Sequence, residues 1–533
     1  MPLNGGLNTF RRFVIGLILA VIPEHQFYYS MHHKYLSAFF ACLCWAFSCT
    51  QLHAQHIVQP YSYSFYQKLN KVYYHPDQRL HTSIKPYAID EMALPLYDSL
   101  MERGVKDRGT WIERKIFNEH LFDVKKEDFT FFADFIPDFQ IGRDFAGSGK
   151  TLWLNTRGFQ AGGTVGDKFY FYTSGYENQG VFPEYIDNYI NEHRVVPGQM
   201  YGKIGKKVQD WAYVSAIVSY AASKKFNVTL AYDKTHIGDG YRSMLLSDQS
   251  SNYTSLKFSG ELGDVAYLSQ WSYMLDPLKG VPDSLGNPPL GSPSKNKWGA
   301  FQYVDWNVDS RFSIGFFNAV LWGASSDTLS SDVEVSAGFG LNARYKVLDN
   351  MALYGQASYY NKMGAQLGLR GYDLFGLKDL NYLAEYNMAV PYAYGSEDVI
   401  TGYTNYSEPL AHPLGGNFNE IVGKLNYSYK RFDFALQGNY ASHGLDPKMS
   451  TENYGGNPLR PIEDEMGSEI GQGVSTDLLY GSGTIAYILN PKYNLRVEAG
   501  ARFRQEKNSI GKNTSGMFIF GLRASFRDFH YDF

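Results

Sequence analysis

The sequence predicts an all-β transmembrane fold, an outer-membrane antiparallel β-barrel of about eighteen strands with a small N-terminal periplasmic helical region. Three observations carry the prediction. Segments of roughly ten residues alternate apolar and polar side chains along most of the chain, as a wall between lipid and a polar lumen requires. No stretch after residue 54 holds the run of about 18 apolar residues that a membrane helix needs. The final stretch, 517–533, puts Phe518, Phe520, Leu522, Ala524 and Phe526 on one face against Arg523 and Ser525. It then alternates Phe529, Tyr531 and Phe533, as a lipid-facing strand carrying an assembly signal would. Composition agrees: 44% of residues are hydrophobic yet the mean hydropathy is -0.32, so apolar material is finely interleaved with polar.

Residues 1–30 hold a short apolar run after Arg11 and Arg12 and read as an upstream start, with Met31 the true one, or as half of a bipartite export signal. Residues 31–54 read as a signal peptide, with Lys34 ahead of the apolar run 38–47 and Leu52-His53-Ala54 as the cleavage site. All three cysteines, Cys42, Cys44 and Cys49, lie within it. The mature chain would therefore lack disulfides, thiolate metal sites and cysteine nucleophiles. A lipoprotein reading through Cys49 is weaker, because Ala46-Phe47-Ser48 lacks a small residue at its middle position.

Residues 55–128 differ in texture from the rest: 56–86 look irregular, while 91–103 and 111–120 are helix-like, which suggests the periplasmic region. The barrel then occupies 129–533. Its expected strands lie near 129–141, 151–163, 168–176, 210–222, 225–233, 253–261, 264–274, 297–307, 311–323, 334–346, 351–361, 363–373, 380–390, 417–430, 431–443, 474–488, 493–506 and 513–527. Short turns such as Gly166-Asp167 and Asn490-Pro491-Lys492 alternate with long connections at 177–209, 234–252, 275–296, 391–416 and 444–473. Periplasmic turns and extracellular loops differ in this way.

Few motifs carry chemistry. Gly147-Ser148-Gly149-Lys150-Thr151 imitates a phosphate loop, but Asp144 stands where the motif needs Gly, and the next stretch reads as a strand in place of a helix. His236 and His412 sit in no metal-ligand or nucleophile array and read as loop histidines, so no cofactor, metal or catalytic residue is implied. Gly238 and Gly240 allow turns that gather Asp239, Tyr241 and Arg242 into a compact polar cluster. Such a cluster suits either a carbohydrate, which needs aromatic faces with carboxylate and guanidinium partners, or a loop packed into the barrel mouth. A second cluster runs from Glu385 through Tyr392 and Tyr394 to His412 and Glu420. The ligand candidates are Asp239, Tyr241, Arg242, His412 and Glu420, and alternation places Arg344, Glu385, Arg496, Arg502 and Arg504 on the lumen wall.

Several of these runs resemble a known family. Gly238-Asp239-Gly240-Tyr241-Arg242 within 237–248, Tyr372-Asp373-Leu374-Phe375-Gly376-Leu377, Glu385-Tyr386-Asn387, Pro391-Tyr392-Ala393-Tyr394 and His412-Pro413-Leu414-Gly415 are similar to the outer-membrane capsule assembly proteins called Wzi. Within that family, the branch of Bacteroidota labelled RemB-type gliding motility proteins is the nearest in texture, through Phe529-His530-Tyr531-Asp532-Phe533 and the stretch 297–307. The resemblance covers most of the mature chain. It implies an eighteen-stranded barrel that holds or organises surface polysaccharide, in capsule attachment or in support of gliding, and it transfers no catalytic residue.

The expected function is thus a non-enzymatic barrel that binds, anchors or assembles capsule or exopolysaccharide. Its partners would be outer-membrane lipid, surface polysaccharide, the barrel-assembly machinery during biogenesis, and motility or export components. A net charge of -4 gives no basic footprint for nucleic acid. Two rivals stand beside this reading: a porin lined by inward arginines, and a motility or secretion component acting through protein partners.

Overall fold

The computed structural model describes residues 58–89, 91–106, 109–203, 208–277, 294–324, 332–447 and 450–533, so the expected start and signal peptide lie outside the described residues. Among the described residues, eighteen antiparallel strands close into a barrel. In chain order they begin with β1 (Phe129–Asp144), β2 (Thr151–Val165), β3 (Phe169–Val181), β4 (Gln209–Ser223), β5 (Phe226–Asp233) and β6 (Tyr253–Leu262). They continue with β7 (Val265–Pro277), β8 (Ser294–Asn307), β9 (Phe312–Ala324), β10 (Val333–Leu348), β11 (Met351–Tyr359) and β12 (Met363–Gly371). The ring is completed by β13 (Leu380–Ala389), β14 (Phe418–Tyr429), β15 (Phe432–Leu445), β16 (Val474–Asn490), β17 (Leu495–Asn508) and β18 (Lys512–Arg523). Every segment expected from alternation is a strand, with ends displaced by a few residues.

Period-two patterning explains the wall. In β10, Val333, Val335, Phe339, Leu341 and Tyr345 are exposed on the outside, whereas Asn342, Arg344 and Lys346 are buried within. Tight turns such as β2–β3, where Gly166 sits at φ +56°, and β6–β7, where Gly263 sits at φ +63°, gather at one end. The long connections gather at the other, so the short-turn end faces the periplasm. Closure is uneven: β18 pairs with β1 only over Met517–Leu522, and a flanking strand, Phe122–Lys126, pairs with the lower edge of β1.

Residues ahead of β1 form short helices: α1 (Tyr63–Tyr66), α2 (Asn70–Tyr73), α3 (Leu94–Met101) and α4 (Trp111–Phe117). Helices expected at 91–103 and 111–120 are present but shorter. The stretch 56–86, expected to be irregular, contains α1 and α2. Their many tyrosines are buried on several sides, which erases a one-faced apolar stripe.

One expectation is corrected. The strand that opens outward at Phe518 and Phe520 ends at Arg523, and residues 524–533 turn into the lumen instead of continuing along the lipid. The reason lies between the aromatics: Arg527, His530 and Asp532 are charged or polar groups with partners only inside.

The lipid face sets a first expected outcome. Leu341→Arg places a charge near the middle of an outward row and should destabilise the vesicle-reconstituted barrel by about 2–4 kcal/mol in denaturant titration, while Leu341→Ile stays close to wild type.

Candidate functional site

Eighteen strands enclose more space than inward side chains can fill. Three segments of the same chain occupy it. Residues 58–89 enter from the periplasmic end: Lys346 on β10 donates to the carbonyls of His75 (2.7 Å) and Gln78 (2.6 Å), Asp305 on β8 meets His81 (2.6 Å) and Ser83 (2.9 Å), and Lys68 reaches Asp433 on β15 (2.7 Å). Residues 234–252 descend from the other end. The two segments pair as strands inside the barrel, Ile84 opposite Ile237 and Lys85 opposite His236. Residues 524–533 run the length of the lumen, from the Tyr493 carbonyl, which accepts from the Ser525 amide, to α5 (Glu184–His193), where Phe533 packs 4.5 Å from Tyr189.

Four of the five ligand candidates meet in one buried network. Arg242 donates to both Glu420 oxygens, from Nε at 3.2 Å and Nη2 at 2.9 Å, and Nη2 also reaches the Asp532 carbonyl at 2.7 Å and its carboxylate at 3.1 Å. His412 Nε2 lies 2.7 Å from Glu420, and Tyr241 donates its hydroxyl to Asp532 at 2.8 Å. Asn439 and Asn387 donate to Glu420, and Glu385 accepts the backbone amides of Tyr241 (2.9 Å) and Arg242 (3.1 Å). Burial pulls the His412 imidazole below its ordinary pKa despite the pull of Glu420. With Arg242, His412 and Glu420 all essentially solvent-free, the carboxylates that could hydrogen-bond a sugar are committed to protein partners.

Asp239 belongs to a neighbouring network deeper in the barrel. Tyr74 donates to it at 2.7 Å, Thr82 also donates, and Asn342 lies at 3.3 Å and Arg344 at 3.8 Å. Burial alone would raise this carboxyl, but the Arg344 guanidinium and the Lys85 ammonium outweigh it and hold Asp239 down to about 2. Burial in turn lowers Lys85 to about 7 against the pull of Asp239. Arg370 on β12 clamps the Asp239 carbonyl. Of the two uses that the sequence left open for this loop, the placement fits packing, and the position is corrected from barrel mouth to barrel interior. Once buried there, its polar groups take partners from the wall, as Asn342 and Arg370 supply to Asp239.

All five lumen candidates face inward. Arg344 binds Thr82 and Asn307, Glu385 binds the 241–242 backbone, and Arg496 pairs with Glu498 at 2.9 Å. Arg502 lies 4.1 Å over the Tyr531 ring, and Arg504 donates to the Phe533 carbonyl at 3.0 Å. Arg344 is covered by residues 80–82, and Arg496, Arg502 and Arg504 are covered by 524–533, so none is displayed to an open channel. His236 and His412 are both buried, the former 3.3 Å from Asp248. At 147–151 the Asp144 carboxylate accepts from the amides of Gly147 and Ser148, which makes a capped turn.

Sequence reasoning missed Asp532, Lys85, Arg370 and Glu408. Glu408 accepts from the Gly198 amide (2.7 Å) and from Ser251 (2.8 Å), tying together three extracellular connections. A charged residue among alternating aromatics, as at Asp532, was the available signal.

No protein-family model matches the chain, and no curated protein does. Among solved structures, the fold is similar to Wzi of Escherichia coli, an outer-membrane protein involved in group 1 capsule assembly and a carbohydrate-binding β-barrel. The match has a TM-score of 0.54 at 12% identity and covers 89% of this chain and 100% of that one. OprD of Pseudomonas aeruginosa also matches, with a TM-score of 0.42 at 9% identity over 74% of this chain and 94% of that one. The fold is therefore a Wzi-like barrel. A closed antiparallel wall with an apolar exterior satisfies its backbone without water, and its place is the bacterial outer membrane.

The buried networks set two further expected outcomes. Arg242→Ala removes the buried guanidinium that Glu420 and Asp532 share and should destabilise the barrel by about 3–5 kcal/mol in denaturant titration, whereas Arg242→Met with Glu420→Gln should recover part of that loss. A carboxyl held at about 2, against roughly 3.9 unfolded, stabilises fully above the unfolded value and ceases to as pH falls through the folded one. Hydrogen-exchange protection at 80–85 and 236–242, taken relative to the intrinsic rate at each pH, should stay high at pH 5 and fall as pH drops from about 4 to 2, and Asp239→Asn should abolish that pH step.

Proposed function

We propose that this chain is a non-enzymatic outer-membrane barrel that anchors or assembles surface polysaccharide on the loop surface at its extracellular end. The observation that carries the reading is the filled lumen: residues 58–89, 234–252 and 524–533 occupy it and bind its wall from many strands. A barrel whose inward arginines are covered by its own chain is poorly suited to diffusion, so its useful surface is outside. That surface is well braced. Residues 391–417 are held by Ser247 on the Leu410 carbonyl and by Lys297 on the Gly402 carbonyl at 2.8 Å. Residues 444–473 are held by Arg460, which pairs with Asp446 at 2.6 Å. Similarity in fold to a carbohydrate-binding barrel supports the same reading.

In this proposal Arg242, Tyr241, His412 and Glu420 set the shape of the loops, and polymer meets the residues above them. The deciding experiment is a clean deletion strain, with polysaccharide separated into cell-bound and shed fractions and gliding scored on the same cultures. Unchanged total polymer shifted into the shed fraction is expected; normal retention removes the anchoring reading. In planar bilayers the intact barrel should show no steady conductance. A wild-type channel would instead favour the porin.

A further inference from the structure

The stretch leading into the barrel leaves an unusual row of apolar side chains in the open. On α4, Trp111 is 59% exposed, Ile112 62% and Ile116 42%. The helix is nonetheless firmly built. The Thr110 hydroxyl accepts from the Glu113 amide at 3.3 Å while the Glu113 carboxylate accepts back at Thr110, a reciprocal cap that fixes its start. The Asn490 side-chain amide at the periplasmic end of β16 donates to the carbonyls of Lys115 (3.2 Å) and Glu119 (2.9 Å), pinning the helix to the barrel rim.

Residues 120–126 join α4 to the lipid-facing wall. His120 and the Leu121 amide bind Asp134 on β1 at 2.6 and 2.8 Å, and the flanking strand Phe122–Lys126 then pairs along β1. Phe122 stands opposite Ala133 and Val124 opposite Phe131, and cross-strand partners share a face. Phe122, at 61% exposed, and Val124, at 39%, therefore prolong the outward row that runs on through Phe135 and Phe139. The apolar exterior of the barrel thus continues past the seam onto this segment, down to the rim where α4 is held.

We propose that α4 is an interfacial helix, seated in the headgroup layer of the phospholipid leaflet that faces the periplasm, with the flanking strand as its link to the hydrocarbon belt. Trp at its first position suits that depth, where an amphipathic ring meets both water and acyl chains. Glu113, Arg114 and Lys115 supply the polar side, and the last two pair with Glu119 at 3.2 and 2.8 Å. The lipid is favoured over a protein occupant because the surface is continuous with one that already faces lipid.

The test uses the whole barrel, with Cys42, Cys44 and Cys49 replaced by Ser, in vesicles of phosphatidylethanolamine and phosphatidylglycerol. A fluorescent label is placed in Ile112→Cys, in Ile116→Cys as a second helix position, in Lys224→Cys as an exposed control in a short turn at the same end of the barrel and in Leu341→Cys as a bilayer control. Heat-modifiable gel mobility reports folding of each. The helix labels should be quenched by lipids carrying a nitroxide near the headgroup and should be about fivefold less accessible to aqueous iodide than the Lys224 label. Iodide quenching equal to that of the Lys224 label, without lipid quenching, overturns the proposal. So does shielding seen in cell envelopes but absent from pure vesicles, which would assign the face to a periplasmic protein.

Discussion

The Arg242 guanidinium joins three parts of the molecule that are far apart in sequence: the descending loop that carries it, Glu420 on the wall, and Asp532 in the final segment. Much else depends on this junction. A ring of eighteen strands leaves a cavity that must be flooded or filled, and filling it with polypeptide buries backbone and charge that need partners. The wall answers with Arg344, Lys346 and Arg370 toward the carbonyls and carboxylates of the filling segments, and with Glu385 toward amides. Pairs of this kind add little net stability over apolar packing, but losing one partner is costly, so they fix which segment lies where.

The wall was legible in the sequence because its two faces meet different solvents, and that difference is written into every second residue. Val333, Val335 and Leu341 against Asn342 and Arg344 say as much without any tertiary knowledge. The filling was less legible. Gly238 and Gly240 announced a compact polar turn correctly, yet whether Asp239 and Arg242 faced a sugar or the protein depended on Tyr74, Glu420 and Asp532, which lie more than a hundred residues away. Residues 529–533 misled for a related reason. Aromatics alternating with polar groups describe a lipid-facing strand and a buried strap equally well, and only the partners of Arg527, His530 and Asp532 separate the two.

The same economy shapes the outer end. Glu408 joins connections from three parts of the chain, Lys297 is buried against Asp276 at 2.5 Å, and Tyr403 and Leu410 pack with Met244 and Leu245 in one apolar cluster. Loops tied down in this way have little conformational entropy left to lose on meeting a ligand, which is the advantage of a rigid platform over a mobile lid.

The path of residues 524–533 bears on how the molecule is made. They rise inside a ring whose closing seam, β1 with β18, lies directly before them in the chain, and beneath them Ser62 and Ser64 seal the way by donating to Asp528 at 3.0 and 3.1 Å. That contact joins residues made before any strand of the wall to residues made after every one of them, so the seal can form only when the whole wall exists.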